Sequence, residues 1–130
     1  MIDVWSLRLF IAECGIIIGD FVGAFDHLLY ALVVFMVVDY ITGLLVAVAR
    51  QSLSSSIGFH GICKKVCILM LVGIANVIDV HIIKSDCVLR TVIACFYISN
   101  EGISIIENIG SIGLPIPERL RDVIQKLKEK

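Results

Sequence analysis

Asp39, Asp79 and Glu101 stand inside long apolar runs of this chain, where an ionised carboxylate finds no water. An Asp at the centre of a membrane helix costs roughly 2.5–3.5 kcal/mol on insertion scales, against a return of about 0.3–0.6 kcal/mol for each Leu, Ile, Phe or Val. Helices carrying one such acid still insert, but each acid must be neutral, paired or turned towards water. Two uses follow: fixing the packing of partner helices, or lining a water-filled path that forms on assembly. The run around Glu101 shows the pattern best. Tyr97, Glu101, Ser104 and Asn108 recur at i, i+4, i+7 and i+11, with Asn100, Glu107 and Ser111 beside them. Ile98, Ile105, Ile106 and Ile109 fall elsewhere on the wheel. Such a polar stripe must meet protein or water, because lipid offers it no partner. The candidate pore or intramembrane polar set is therefore Asp39, Asp79, Tyr97, Asn100, Glu101, Ser104, Glu107 and Asn108.

Other chemistries have little support. No HExxH, GxSxG or phosphate-binding glycine loop occurs, so no catalytic residue and no cofactor is assigned. His60, Cys63 and Cys67 share a helix face, but a zinc site wants a fourth ligand, so no metal is expected. The five cysteines are odd in number and lie in or beside apolar segments, as small apolar side chains do. A formal net charge of −1 argues against a nucleic-acid partner.

The elements that must position the acids are membrane helices. The chain has 130 residues, 58% of them hydrophobic, and a mean hydropathy of +0.98. Four apolar segments span about 4–25, 28–49, 62–83 and 87–109, each covering roughly 33 Å as a helix, enough to cross a bilayer. The first carries Arg8, Glu13 and Asp20, so it either crosses or lies in the interface. The expected fold is all-α: a polytopic membrane protein of three to four transmembrane helices arranged as hairpins, followed by a short amphipathic charged helix. Asp26-His27 and Lys84-Ser85-Asp86 are the tight links, and 50–61 reads as a longer polar loop. Residues 1–113 thus form the transmembrane domain and 114–130 a cytoplasmic tail. In that tail Ile116, Leu120, Val123, Ile124 and Leu127 make an apolar stripe among alternating charges. The tail is a solvated helix, a lipid-headgroup anchor or a partner for another tail.

Placing the 50–61 loop and the tail inside puts every Lys and Arg there except Lys84 and Arg90. That bias orients the C-terminus to the cytoplasm. In the first segment Gly15, Gly19 and Gly23 follow Ala12 along one face, and Gly43 lies on a similar face of the second. Small residues let helix backbones approach, so these four glycines are candidate packing positions, within one chain or between copies.

Several stretches resemble the toxin-secretion/phage-lysis holin family, which includes clostridial toxin-export holins. Asp39-Tyr40-Ile41-Thr42-Gly43 is similar to its Asp-x-x-Thr-Gly element. Ser55 to Gly61 followed by Lys64-Lys65-Val66 resembles its Ser/Gly loop and basic pair, and Asn76 to Asp79 its acid-bearing helix. Phe96 to Gly102 and Ser104 to Asn108 resemble its last apolar helix, and Gly113 to Leu120 its junction with the charged tail. The resemblance implies a protein of the bacterial cytoplasmic membrane that oligomerises and opens lesions, without catalysis or cofactor. Its partners would be the bilayer and copies of itself. An endolysin or large toxin would pass through without stable binding. The competing readings are a small four-helix proton-coupled exporter, with Glu13 as the coupling acid, and an ion channel. A strong Lys/Arg bias and a single Trp, at Trp5, disfavour both.

Overall fold

Three of the helices begin at a short polar side chain that accepts a backbone N–H one turn on. Asp3 accepts from Ser6 at 2.7 Å, Asp26 from Leu29 at 2.9 Å and Ser54 from Ile57 at 3.2 Å. Each bond satisfies one of the donors that a helix start leaves unpaired. The computed structural model describes residues 1–128; Glu129 and Lys130, the end of the charged tail, lie outside the described residues. It places α1 at Val4–Val22, α2 at His27–Ala49, α3 at Ser55–Val77, α4 at Val88–Ile112 and α5 at Glu118–Lys128. A π-helical turn, Ile78–Ile83, carries α3 on without a break. The fold is all-α, with no strand among the described residues.

Three helices are long and apolar enough to cross a membrane: α2, α3 with its π turn, and α4. With Arg8, Glu13 and Asp20, α1 is not among them. The outward faces of the three are apolar, with Val37, Ile41, Leu45, Val66, Met70, Ile74 and Val92 exposed. Soluble chains rarely expose apolar surface on this scale, which is what a lipid-facing bundle requires. Inside, Leu29, Leu32 and Met36 of α2, Ile68 and Val72 of α3 and Ile98 of α4 form the core, joined by Val22. The most extensive helix interface is α2 on α4.

Three expectations about the elements change. The segment expected at 62–83 begins at Ser55, so 55–61 is helix rather than loop. The Ser54 cap starts it early, and Tyr40 of α2 covers its first turns, donating its hydroxyl to the Gly58 carbonyl at 3.3 Å and lying against Gly61. The tight link at residue 26 does not make a packed hairpin, because α1 packs on α3 rather than along α2. The Phe21 ring presses on Gly73, where a side chain would overlap it. Finally, α5 is not a free solvated helix. It folds back on α4, burying Ile124.

One end of the bundle is fastened by Arg90, which is 2% exposed. Its guanidinium donates to the Val22 carbonyl at 2.6 Å, the Ala24 carbonyl at 3.0 Å and the Asp26 carboxylate at 2.9 and 3.3 Å. Asn76 adds a bond to the Phe21 carbonyl at 3.1 Å. The last carbonyls of α1 are thus capped by side chains of α3 and α4. Gly23 sits at φ 89°, and a Cβ there would be strained and would push against the Asn76 and Arg90 side chains that cap α1. The hydrogen bond from Arg90 holds the Asp26 carboxyl below the usual carboxylate range. A depressed folded value means that this attachment is complete above the unfolded pKa of about 3.9 and fades as pH falls through the lower folded value. Cleavage of the 23–26 turn by an acid-tolerant protease, in detergent micelles, should therefore accelerate below about pH 4. Asp26→Asn should cleave faster at neutral pH and lose that acid dependence.

Candidate intramembrane polar site

Lys65 lies on α3 between Lys64 and the apolar run that starts at Val66, and its partly buried ammonium needs anions that other helices provide. It donates to the Asp39 carboxylate of α2 at 2.8 Å and to the Glu101 carboxylate of α4 at 2.6 Å. The three side chains are 16%, 15% and 9% exposed. At about 1.5 Å per residue, all three lie roughly 15–17 Å from the same end of the bundle, at the middle of α2 and α4 and about a third of the way along α3 with its π turn. One cation therefore ties together the three helices that are long and apolar enough to span a membrane, well inside their lengths.

Asn108 extends the cluster towards the nearer end. Its Nδ2 donates to the Thr42 hydroxyl at 3.0 Å and to Asp39 Oδ1 at 3.2 Å. Thr42 in turn donates to the Val38 carbonyl at 2.9 Å. Gly43 faces this amide, since a Cβ there would lie 3.7 Å from Asn108 Nδ2. Beside the cluster, a cleft of about 540 Å³ opens between α3 and α4. Tyr97, Asn100, Ser104, His60, Cys63 and Cys67 are among its lining residues. No group of three or more His, Cys, Asp or Glu suited to a metal occurs among the described residues.

The structure thus gathers Asp39, Glu101, Ser104 and Asn108 into one seam, with Tyr97 and Asn100 on its cleft. Asp79 stands apart. It is fully buried at the other end, where its carboxylate accepts from the Leu89 and Arg90 backbone N–H groups at 3.1 and 2.8 Å and from Ser85 Oγ at 3.1 Å. It caps the start of α4 from a neighbouring element, against the positive end of the helix dipole. Glu107 faces outward, beside Arg121 and Gln125 of α5. A Cβ added at Gly15 or Gly19 would meet nothing within 4 Å, so that face of α1 is unpacked within one chain.

Lys65 and Thr42 were not among the residues expected from the stripe alone. Charge balance was the available signal: two embedded acids call for a cation, and Lys65 directly precedes the apolar run from Val66. Because the helix starts at Ser55, Lys65 stands ten residues inside α3, facing α2 and α4, rather than at the end of a loop.

Apolar on its outer faces, the bundle defines a small multi-helix membrane protein with a partly buried polar seam beside its apolar core. The chain belongs to the bacteriophage holin family, whose sequence profile matches residues 16–129. Among its relatives, an uncharacterised 14.9 kDa protein of Clostridium perfringens is 40% identical over 92% of this chain and 91% of the relative. An uncharacterised Listeria monocytogenes protein is 43% identical over 91% of this chain and 84% of its own length. A protein of Bacillus phage phi105 named a probable holin is 36% identical over 70% of this chain and 67% of its own length. No solved structure matches the chain.

Proposed function

We propose that this protein is a holin that oligomerises in the bacterial cytoplasmic membrane and opens lesions through which an endolysin or a large toxin leaves the cell. The observation that carries the reading is the Asp39–Lys65–Glu101 cluster well inside α2, α3 and α4. Sealed, it lets single subunits accumulate harmlessly in lipid. Parted, it leaves charged and amide groups that water solvates and hydrocarbon does not. Assembly of many subunits supplies the water-lined space, and the groups that oppose lipid exposure then drive opening. Neither catalysis nor a cofactor has a part in this scheme. The exporter reading needs Glu13 inside a pocket, and within one chain Glu13 is exposed on α1 with no pocket around it among those lined by described residues.

Induced expression tests the reading, with membrane potential and release of a large cytoplasmic enzyme followed together. A holin gives silent accumulation and then abrupt loss of both. Steady growth with resistance to a cationic drug and no leakage supports an exporter instead. The same cells report orientation. With the C-terminus cytoplasmic, a membrane-impermeant thiol reagent should label Ser85→Cys and spare Ser54→Cys in intact, untriggered cells, in a cysteine-free background. The reverse pattern overturns the orientation.

A further inference from the structure

Glu101 is 7% exposed, yet only one of its carboxylate oxygens is engaged. Oε2 accepts from Lys65, whereas Oε1 accepts no hydrogen bond among the described residues. No buried side-chain oxygen or nitrogen among those residues lacks a partner, so Oε1 opens onto the cleft of about 540 Å³ between α3 and α4. That volume suits a small ligand. The cleft is polar around the carboxylate, where Asn100 and Ser104 line it, and apolar beyond, where Ile68, Leu71 and Tyr97 form the wall. From the level of Lys65 to Leu71 the apolar part runs about 9 Å along α3. The cleft is open sideways, past the exposed Cys63 and Cys67.

Charge is unbalanced at the same place. Asp39 and Glu101 share the one ammonium of Lys65, which leaves a formal charge of −1. His60 and Lys64 also line the cleft, at its end nearer Ser55, and both are exposed. The long stem of Lys64 lets its ammonium reach the headgroup layer instead of the acids. We propose that the cleft binds a lipophilic primary amine, its ammonium on Glu101 Oε1 beside Asn100 and Ser104, its hydrocarbon tail along Ile68, Leu71 and Tyr97. The ammonium supplies the missing positive charge through charge-assisted hydrogen bonds, and the tail removes apolar wall from water. A neutral alcohol of the same length covers the wall but leaves the charge unmatched. An anionic amphiphile sets its carboxylate against Glu101. The site belongs to a single closed subunit and stands apart from the holin reading.

Cys67 lines the cleft and reports its occupancy. The full chain with Cys14, Cys63, Cys87 and Cys95 replaced by alanine, in uncharged detergent micelles, is reacted with a small neutral methanethiosulfonate, alone and with octylamine, octanol or octanoate. Octylamine should slow the reaction saturably, about tenfold at roughly nine times its dissociation constant. Octanol and octanoate should slow it far less. A chain whose sole cysteine is Cys14, on α1 and away from the cleft, shows any effect on the micelle itself. Glu101→Gln should weaken octylamine protection about tenfold or more, because a hydrogen bond to a charged group is lost. Leu71→Trp should abolish protection while keeping every charge, since Leu71 is 40% exposed and a larger ring fills the cleft without entering the core. No protection by octylamine, equal protection by octanol or octanoate, or protection unaltered in both variants overturns the amine site and leaves the holin reading intact.

Discussion

Lys65→Met is expected to bring lysis forward sharply. The substitution keeps the length of the side chain and removes its charge, leaving the Asp39 and Glu101 carboxylates, formerly 2.8 and 2.6 Å from the ammonium, to face each other within the bundle. Removing one partner of a buried ion pair costs about 3–5 kcal/mol. Only the sealed state bears that cost, because water solvates the carboxylates once the seam parts. An opened population should therefore rise by about a hundredfold or more. Time-resolved release of a cytoplasmic enzyme, with membrane abundance measured in the same cultures, gives the readout. Neutralising the acids as well, in Asp39→Asn/Lys65→Met/Glu101→Gln, should restore accumulation and move lysis back towards normal timing. Rescue by the triple variant separates loss of the seal from simple misfolding. Normal timing and abundance in Lys65→Met would show that the cation holds nothing closed.

Glu101→Leu should act in the opposite direction. The cluster has one cation and two acids, a formal charge of −1, and removing Glu101 leaves Lys65 paired with Asp39 alone. A neutral pair beside a leucine has less to gain from water, and the stripe becomes greasier. The variant should insert and accumulate as the unsubstituted protein does, then lyse very late or never. Glu101→Gln keeps the size and a hydrogen-bonding amide, so lysis should persist with altered timing. Opposite shifts from two residues in direct contact would be difficult to obtain from a general loss of stability.

Much of this arrangement was legible in the residues. Long apolar runs announce spanning helices because lipid leaves the backbone no alternative, and α2 and α4 fall close to the runs that predict them. The i, i+4, i+7, i+11 spacing on α4 is a property of one helix, so the convergence of Glu101, Ser104 and Asn108 could be read without a structure. Lys65 could not be placed in the same way. A Lys-Lys pair after a Ser/Gly stretch looks like a membrane boundary, and its true depth depends on Ser54 capping the helix and Tyr40 covering Gly58 and Gly61 from α2. Both the pairing of Lys65 with α2 and α4 and the capping of α4 by Asp79 join elements distant in the chain, about which periodicity is silent. The tail shows the same limit: its stripe reveals an apolar edge but not that Gly102 provides the floor beneath Ile124.

Water access at Ser104 tests the central claim, that the sealed seam opens to water when lesions form. Single cysteines at 104 and 105, in a cysteine-free background, are exposed to a small water-soluble thiol reagent before and after the onset of lysis in induced cells. Ser104 lies on the cleft beside Lys65, whereas Ile105 points to the apolar groove beneath α5. The cysteine at 104 should react only after triggering, and the one at 105 should stay protected throughout. Reaction at 104 in untriggered membranes, or equal reaction at 104 and 105 afterwards, would contradict the account.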